Sequence, residues 1–262
     1  MLRHYSKHNL LKYFFYPILK KAKKIIVVSN ELRTFAEELG IVHSKIIVIP
    51  NGVDTTFFDP STVKAEEIER LIQAYPSIKE GKITLCSVRR LEHKNGLDIL
   101  LKACSILAHK ELDFQVIIGG EGALKNELQD LAITLGIDDR VTFTGFIDDY
   151  LMRALIFYSD IYVMPSRSEG FPLALPEAMA MEKPVIVTDA GEMAKAINNN
   201  GFIVEIENIQ ELASKLENLI KDGNLRKQFG KQSKEIAEAK YSWEIIAKKT
   251  LDILKSCCDA SL

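Results

Sequence analysis

The feature that most constrains this chain is a train of short apolar runs with helix-forming stretches between them. The runs lie at residues 83–88, 114–118, 141–145, 160–164, 184–188 and 201–204. Helical patterns occupy residues 96–110, the stretch ending near Leu135, and residues 150–158. Strands that alternate with helices build a parallel sheet covered on both faces. The right-handed crossover rule makes that sheet a doubly wound, Rossmann-like α/β domain. Beyond Glu207 the pattern is helical, with Ile209, Leu212, Leu216 and Leu219 on one stripe. A last helix is expected to start at Tyr241-Ser242-Trp243.

A smaller β-α-β unit precedes this train. Residues 24–29 and 45–49 read as strands, Ser29 and Asn30 as caps of a helix over 31–39, and Gly40 as its stop. Pro50-Asn51-Gly52-Val53-Asp54 reads as a turn. Residues 61–75 are expected to form one polar helix with Ile68, Leu71 and Ile72 inward.

The chemistry concentrates where the run at 160–164 hands over to the next helix, in Ser166-Arg167-Ser168-Glu169-Gly170-Phe171-Pro172-Leu173-Ala174-Leu175-Pro176-Glu177. Ligands of open α/β sheets bind outside the carboxyl ends of the strands, at such a handover. Gly170 lets the backbone bend and approach a ligand without a Cβ in the way. Pro172 and Pro176 suit a helix start, where a missing N–H costs nothing. With Pro176 as the first helical residue, Glu177 falls in the first turn, where its carboxylate can accept paired bonds from a vicinal diol such as ribose. Glu169 then lies nearer whatever the nucleoside carries. Taken singly, Glu177 is a complement to the helix dipole and Glu169 a solvated charge; their pairing around Gly-Phe favours a site. In Ser87-Val88-Arg89-Arg90-Leu91-Glu92-His93-Lys94-Asn95-Gly96, Arg90 and Lys94 follow a strand end and can clamp a diphosphate.

Glu169-Gly170-Phe171, five further residues, then Glu177-Ala178-Met179-Ala180 resembles the signature of the family-4 retaining glycosyltransferases of the GT-B fold. The resemblance implies that Glu177 holds the ribose of a nucleotide-sugar, that Glu169 contacts the donor sugar, and that Arg90 and Lys94 stabilise the departing diphosphate. It implies a nucleotide-approaching turn at Gly120 and Glu121, a base pocket at Gly145 and Phe146, and a donor loop at Gly170, Phe171, Pro172 and Leu173. The chain departs from the pattern in four places. Asn95 stands where the family has Lys, with Lys94 one residue early. Pro172 stands where many members have Gly, and Glu192 and Lys195 where a second Gly and a Glu are common. The resemblance assigns residues 1–54 to a remnant of an acceptor-side N-terminal domain with its linker. Residues 55–240 become the donor-binding half of a GT-B fold and 241–262 a crossover helix.

The 262 residues are 47% hydrophobic with a net charge of −2, which fits a globular α/β protein and disfavours nucleic acid as a partner. Cys86 and Cys104 sit in apolar runs, while Cys257 and Cys258 read as part of a C-terminal tail. Neither pair has disulfide or metal spacing, which points to a reducing, cytoplasmic compartment. No Asp-x-Asp or His cluster appears, so neither a metal nor another cofactor is expected. Residues 10–24 mix aromatics with lysines. They suit either a peripheral contact at the inner membrane face or, preferably since Pro17 interrupts the pattern, a core-facing helix with a solvated Lys face. The expected activity is transfer of a hexose from a nucleotide-diphosphate sugar to a lipid-linked or polysaccharide glycan, with retention and without metal. A non-catalytic donor-binding subunit or relic that needs a separate N-terminal domain is the alternative, and a nucleotide-sugar epimerase a third.

Overall fold

Period-two alternation sorts the apolar runs into two layers. The computed structural model describes residues 16–259 and contains a two-stranded and a six-stranded sheet, both parallel. The small sheet pairs β1 (Ile25–Val27) with β2 (Ile46–Val48) around α1 (Asn30–Glu38). The Ser29 hydroxyl caps α1 by accepting from the Leu32 N–H, as the sequence suggests. Ala36, Ile41 and Ile46 form its core, with Tyr16 and Leu19 packed against them. Residues 16–21 are helical, so that part of the opening segment faces a core; residues 10–15 lie outside the described residues.

The large sheet begins after α2 (Ala65–Ala74). It contains β3 (Ile83–Val88), α3 (Leu97–His109), β4 (Phe114–Gly119), α4 (Lys125–Thr134), β5 (Val141–Gly145) and α5 (Asp149–Tyr158). Then follow β6 (Ile161–Met164), α6 (Ala174–Ala180), β7 (Val185–Thr188) and β8 (Gly201–Val204). The strand order is β5-β4-β3-β6-β7-β8, the doubly wound arrangement expected. Leu85, Val116, Ile118, Ile161, Val163 and Ile186 enter one core, while Cys86, Ile117, Tyr162, Met164, Val185 and Val187 enter the other. Each set sits at alternate positions along its strands, as pleating requires.

Three helices close the chain: α7 (Ile209–Lys221), α8 (Gly223–Ile236) and α9 (Trp243–Asp259). Cys257 and Cys258 therefore stand on a helix, not in a tail. The start of α9 is stitched to the linker between the units, with Val53 N–H donating to Tyr241 O and Trp243 N–H to Val53 O. Near its far end, Lys23 Nζ donates to the Cys257 carbonyl at 2.8 Å. The single helix expected over 61–75 is split: a short 3-10 turn, Pro60–Thr62, capped by Asp59, precedes α2. Among the described residues no helix is long and apolar enough to cross a membrane.

Glycines fix where the strand-end loops meet, and Gly96 shows how. Gly96 opens α3 at φ 66°, and a Cβ there would lie 1.9 Å from the Pro165 carbonyl oxygen. Gly136 has the same φ with nothing within 4 Å of such a Cβ. Gly136→Ala should therefore cost only the left-handed strain, about 1–2 kcal/mol. Gly96→Ala should cost more, because the two loops must also part. Denaturant unfolding of the two variants checks the order; equal losses would remove the close approach as a constraint.

Candidate functional site

Strand order reverses between β3 and β6, and in open α/β sheets the crevice at such a switch point takes the ligand. Here β3 and β6 pair only through Leu85↔Ile161 and Cys86↔Tyr162 and then part. The buried Tyr162 hydroxyl spans the gap, accepting from Val88 N–H and donating to Val88 O, each at 3.2 Å. Burial holds this phenol above its usual pKa, so it stays a donor.

Backbone bonds tie the loops around the crevice. Arg89 N–H donates to Gly119 O, Leu91 N–H to Glu121 O and Gly120 N–H to Gly145 O. These loops follow β3, β4 and β5. The loop after β6 is clamped to the first of them by Arg167, whose Nη1 and Nη2 grip Asp98 at 2.7 and 2.9 Å while Nη1 also donates to His93 O. Burial alone would raise the Asp98 carboxyl, but the bonds from Arg167 and Lys102 outweigh it and hold the pKa at about 2. Thr188 Oγ1 donates to Ser166 O at 2.6 Å, which fixes the same loop to the end of β7.

Both expected carboxylates stand on the β6–α6 connection. Glu177 lies in the first turn of α6, and burial, with the Asp149 charge adding to it, raises its pKa to about 7. No hydrogen bond compensates its ionised form among the described residues. Glu169 is different, because one of its oxygens is ion-paired to Arg89. Arg89 is buried and also donates to Ser166 Oγ and, at 3.1 Å, to Asn95 Oδ1.

Several details differ from the sequence reading. α6 starts at Ala174, so Pro176 is its third residue rather than its first; the missing N–H is still among those a helix leaves unpaired. The Phe171 ring is 4% exposed and packs against Tyr241 at 4.9 Å between centroids, so only its backbone is available to a ligand. Its carbonyl accepts from Asn51 Nδ2 at 2.7 Å. Gly170 has no left-handed φ, and a Cβ built there meets only Ser29, at 3.8 Å or more. Gly191, in the connection after β7, closes on the same loop: it has φ 63°, and a Cβ there would lie 1.8 Å from Glu169 O.

The remaining expected residues take their places at the rim. Gly120 (φ 120°) and Gly145 (φ 70°) shape the turns after β4 and β5, with the Glu121 carboxyl beside Gly145. Phe146 next to them is 78% exposed, available to a planar group. Pro172 is half-buried and Leu173 exposed, at the start of α6. Arg90 has an 81% exposed side chain at the crevice mouth, 3.8 Å from Glu92. Lys94 lies 3.9 Å from the same Glu92 and touches neither site carboxylate.

Two contacts with the small unit were not anticipated. Glu192 Oε1 accepts from both Asn30 N–H and Asn30 Nδ2, each at 3.0 Å. Asn51 reaches the Phe171 carbonyl as described above. These partners are more than a hundred residues apart, and no local pattern announces such pairs. Arg89 carried a fainter signal: a doubled Arg offers two candidates, and only packing decides which turns inward.

The fold is a doubly wound α/β sheet with carboxylates and cations at its switch point, and sequence comparison gives the family. Residues 65–236 match the glycosyl transferases group 1 family, and residues 2–57 match Glycosyltransferase Family 4. The chain belongs to the glycosyl transferases group 1 family. It is 28% identical over 238 residues to an uncharacterized glycosyltransferase of Methanocaldococcus jannaschii, covering 88% of this chain and 60% of that protein. It is 27% identical over 241 residues to a GDP-mannose-dependent alpha-(1-6)-phosphatidylinositol monomannoside mannosyltransferase of Mycobacterium tuberculosis, covering 88% and 61%. The chain thus spans about 60% of the length of these relatives. A glycosyltransferase structure from Rickettsia africae superposes with a TM-score of 0.81 at 27% identity, covering 95% of this chain and 67% of that one. Anabaena HepE, solved with UDP-glucose, shares the fold with a TM-score of 0.82 at 22% identity, covering 97% and 70%. The architecture is that of the GT-B glycosyltransferases, as expected.

The raised Glu177 pKa has a stability consequence with a definite sign. The unfolded carboxyl ionises near 4.3 and the folded one at about 7. Below pH 4 both states are protonated and the group costs nothing; as pH rises to 7 and beyond, the fold bears a buried charge. Glu177→Gln should therefore be more stable than wild type at pH 8, by roughly 3–4 kcal/mol at about 1.36 kcal/mol per pKa unit, and nearly indistinguishable from it at pH 4. Thermal unfolding at the two pH values tests this.

Proposed function

We propose that the β3–β6 crevice binds a nucleotide-diphosphate sugar, and that the chain supplies this donor site for retaining, metal-independent transfer of a hexose to a lipid-linked or polysaccharide glycan. The observation that carries the reading is the placement of Glu169 and Glu177 on one strand-to-helix connection at the switch point, opposite the cationic Arg90 and Lys94 segment. The named activity of the mycobacterial relative, which is GDP-mannose-dependent, supports the donor class.

In this reading Glu177 accepts from the two ribose hydroxyls, and those bonds replace the water its carboxylate loses on burial. Phe146 stacks on the base beside the Gly120 and Gly145 turns. Glu169 accepts from a hydroxyl of the sugar. As the bond from sugar C1 to the diphosphate breaks and the acceptor hydroxyl oxygen bonds to C1, negative charge collects on the departing diphosphate, whose oxygen takes the hydroxyl proton. Arg90 and Lys94 offset that charge, the electrostatic contribution that commonly dominates catalysis. Because the fold already bears the cost of Glu177, the ligand recovers stabilisation that the free protein lacks.

Calorimetric titration with UDP-, GDP- and ADP-sugars tests the reading. Selective binding in the presence of EDTA is expected. Glu177→Ala should weaken it by roughly 10–100-fold, since a hydrogen bond to a charged group is worth about 1.5–3 kcal/mol. Binding that needs Mg²⁺, or survives Glu177→Ala unchanged, would sink the proposal. Only the ionised carboxylate accepts both hydroxyls, so affinity should also fall as pH is lowered through about 7. A flat profile between pH 8 and 5.5 would argue that Glu177 does not touch the ribose.

A further inference from the structure

Arg89 is buried beside Glu169, and the binding and transfer roles proposed above do not use it. Its side chain is 4% exposed. Taking a guanidinium out of water costs several kcal/mol unless its donors are matched. Here they are matched at one end of the group: Nη1 to Ser166 Oγ, and Nη2 to both Asn95 Oδ1 and Glu169 Oε2. Burial lowers the Arg89 pKa and the Glu169 charge works against that.

The consequence falls on Glu169. Its Oε2 is held by Arg89, while Oε1 has no bonding partner among the described residues. The side chain keeps 16% exposure, so it is open to the crevice. Asn95 extends the arrangement, because its Nδ2 donates to the Arg90 carbonyl at 2.7 Å. One chain of bonds thus runs from the Glu169 carboxylate, through Arg89 and Asn95, to the backbone that carries Arg90. It also accounts for Asn at position 95: a 4% exposed side chain there must both accept from Arg89 and donate to a carbonyl, and Lys has no acceptor.

Building on the donor-site reading above, we propose that Arg89 is a positioning residue for the donor sugar. Its grip on Oε2 fixes the Glu169 carboxylate so that Oε1 accepts from a sugar hydroxyl. Affinity for the sugar portion, not for the nucleoside diphosphate, then depends on Arg89.

The test compares calorimetric affinities of the full chain for UDP-glucose and GDP-mannose with those for UDP and GDP. The variants are Arg89→Gln, Arg89→Lys, Glu169→Gln and the double variant Arg89→Gln/Glu169→Gln. In wild type the sugar should add affinity over the matching nucleoside diphosphate. Arg89→Gln should remove that increment, by roughly tenfold, with nucleoside diphosphate affinity held within about twofold. Arg89→Lys keeps the charge but not the planar fork and should retain part of the increment; it carries the test if Arg89→Gln fails to fold. The double variant should be no worse than either single one, since the two side chains act as one unit.

Equal loss of nucleoside diphosphate and sugar nucleotide in Arg89→Gln would overturn the proposal, as would additive losses in the double variant. Wild type that binds UDP or GDP without any gain from the sugar would overturn it and leave the nucleotide site standing. Wild type that binds none of the four would overturn the donor-site reading, and this inference with it.

Discussion

The splay between β3 and β6 is the constraint on which the site depends. A parallel sheet wound in both directions must separate two neighbouring strands at their carboxyl ends, because the connections leave toward opposite faces. In this chain the separation comes after only two paired positions. The exposed backbone of Val88 is satisfied not by another strand but by the Tyr162 hydroxyl. Beyond that point the sheet holds Arg89, Glu169 and the first turn of α6 in place of ladder bonds. The crevice is what remains when the hydrogen-bond ladder stops and side chains complete it.

The charges in that crevice are arranged unequally. Glu169 has a guanidinium partner, while Glu177 is half-buried with no hydrogen-bond partner among the described residues and has Asp149 as a like-charged neighbour. A pair made within the protein contributes to holding the loop. A carboxylate left unmatched costs stability and makes the group more responsive to a hydroxylic ligand. The two acids, eight residues apart, therefore read as a fixed element and a receptive one. The surrounding clamp is stiff enough to keep them so: the Arg167–Asp98 fork, the Thr188–Ser166 bond and the Gly191 close approach all bear on the same short loop.

Much of this was legible in the sequence because it rests on periodicity. The strands at 83–88, 141–145 and 201–204 have the expected bounds, while the near-continuous apolar runs of β4 and β6 mark buried strands without saying which residue faces which layer. Glu169 and Glu177 were placed by the handover from strand to helix, a local rule. What was not legible depends on distant partners. Phe171 is expected in the loop that approaches the donor, and only the Tyr241 ring beside it shows that its side chain is packed inward. Nothing at Gly170 announces that Gly191, from the next connection, comes within Cβ distance of the Glu169 carbonyl. Arg89 and Arg90 differ by one position, and the end of a strand gives no rule for which turns inward.

The same distinction bears on where donor recognition resides. The side chains assigned to the nucleotide and sugar lie between Arg89 and Glu177, all on connections at one edge of the large sheet. The small unit touches this edge through Asn51 at the Phe171 carbonyl, through Asn30 at Glu192 and through Ser29 beside Gly170, and none of Asn51, Asn30 and Ser29 is itself an assigned donor contact. Its influence is therefore on the shape of the loop rather than on its chemistry. A site whose charges and donors come from one sheet is set largely by that sheet's own packing. The acceptor, by contrast, has no contact assigned to it among these residues. In this reading donor binding and acceptor choice are separable properties, and the residues of the large sheet govern the first.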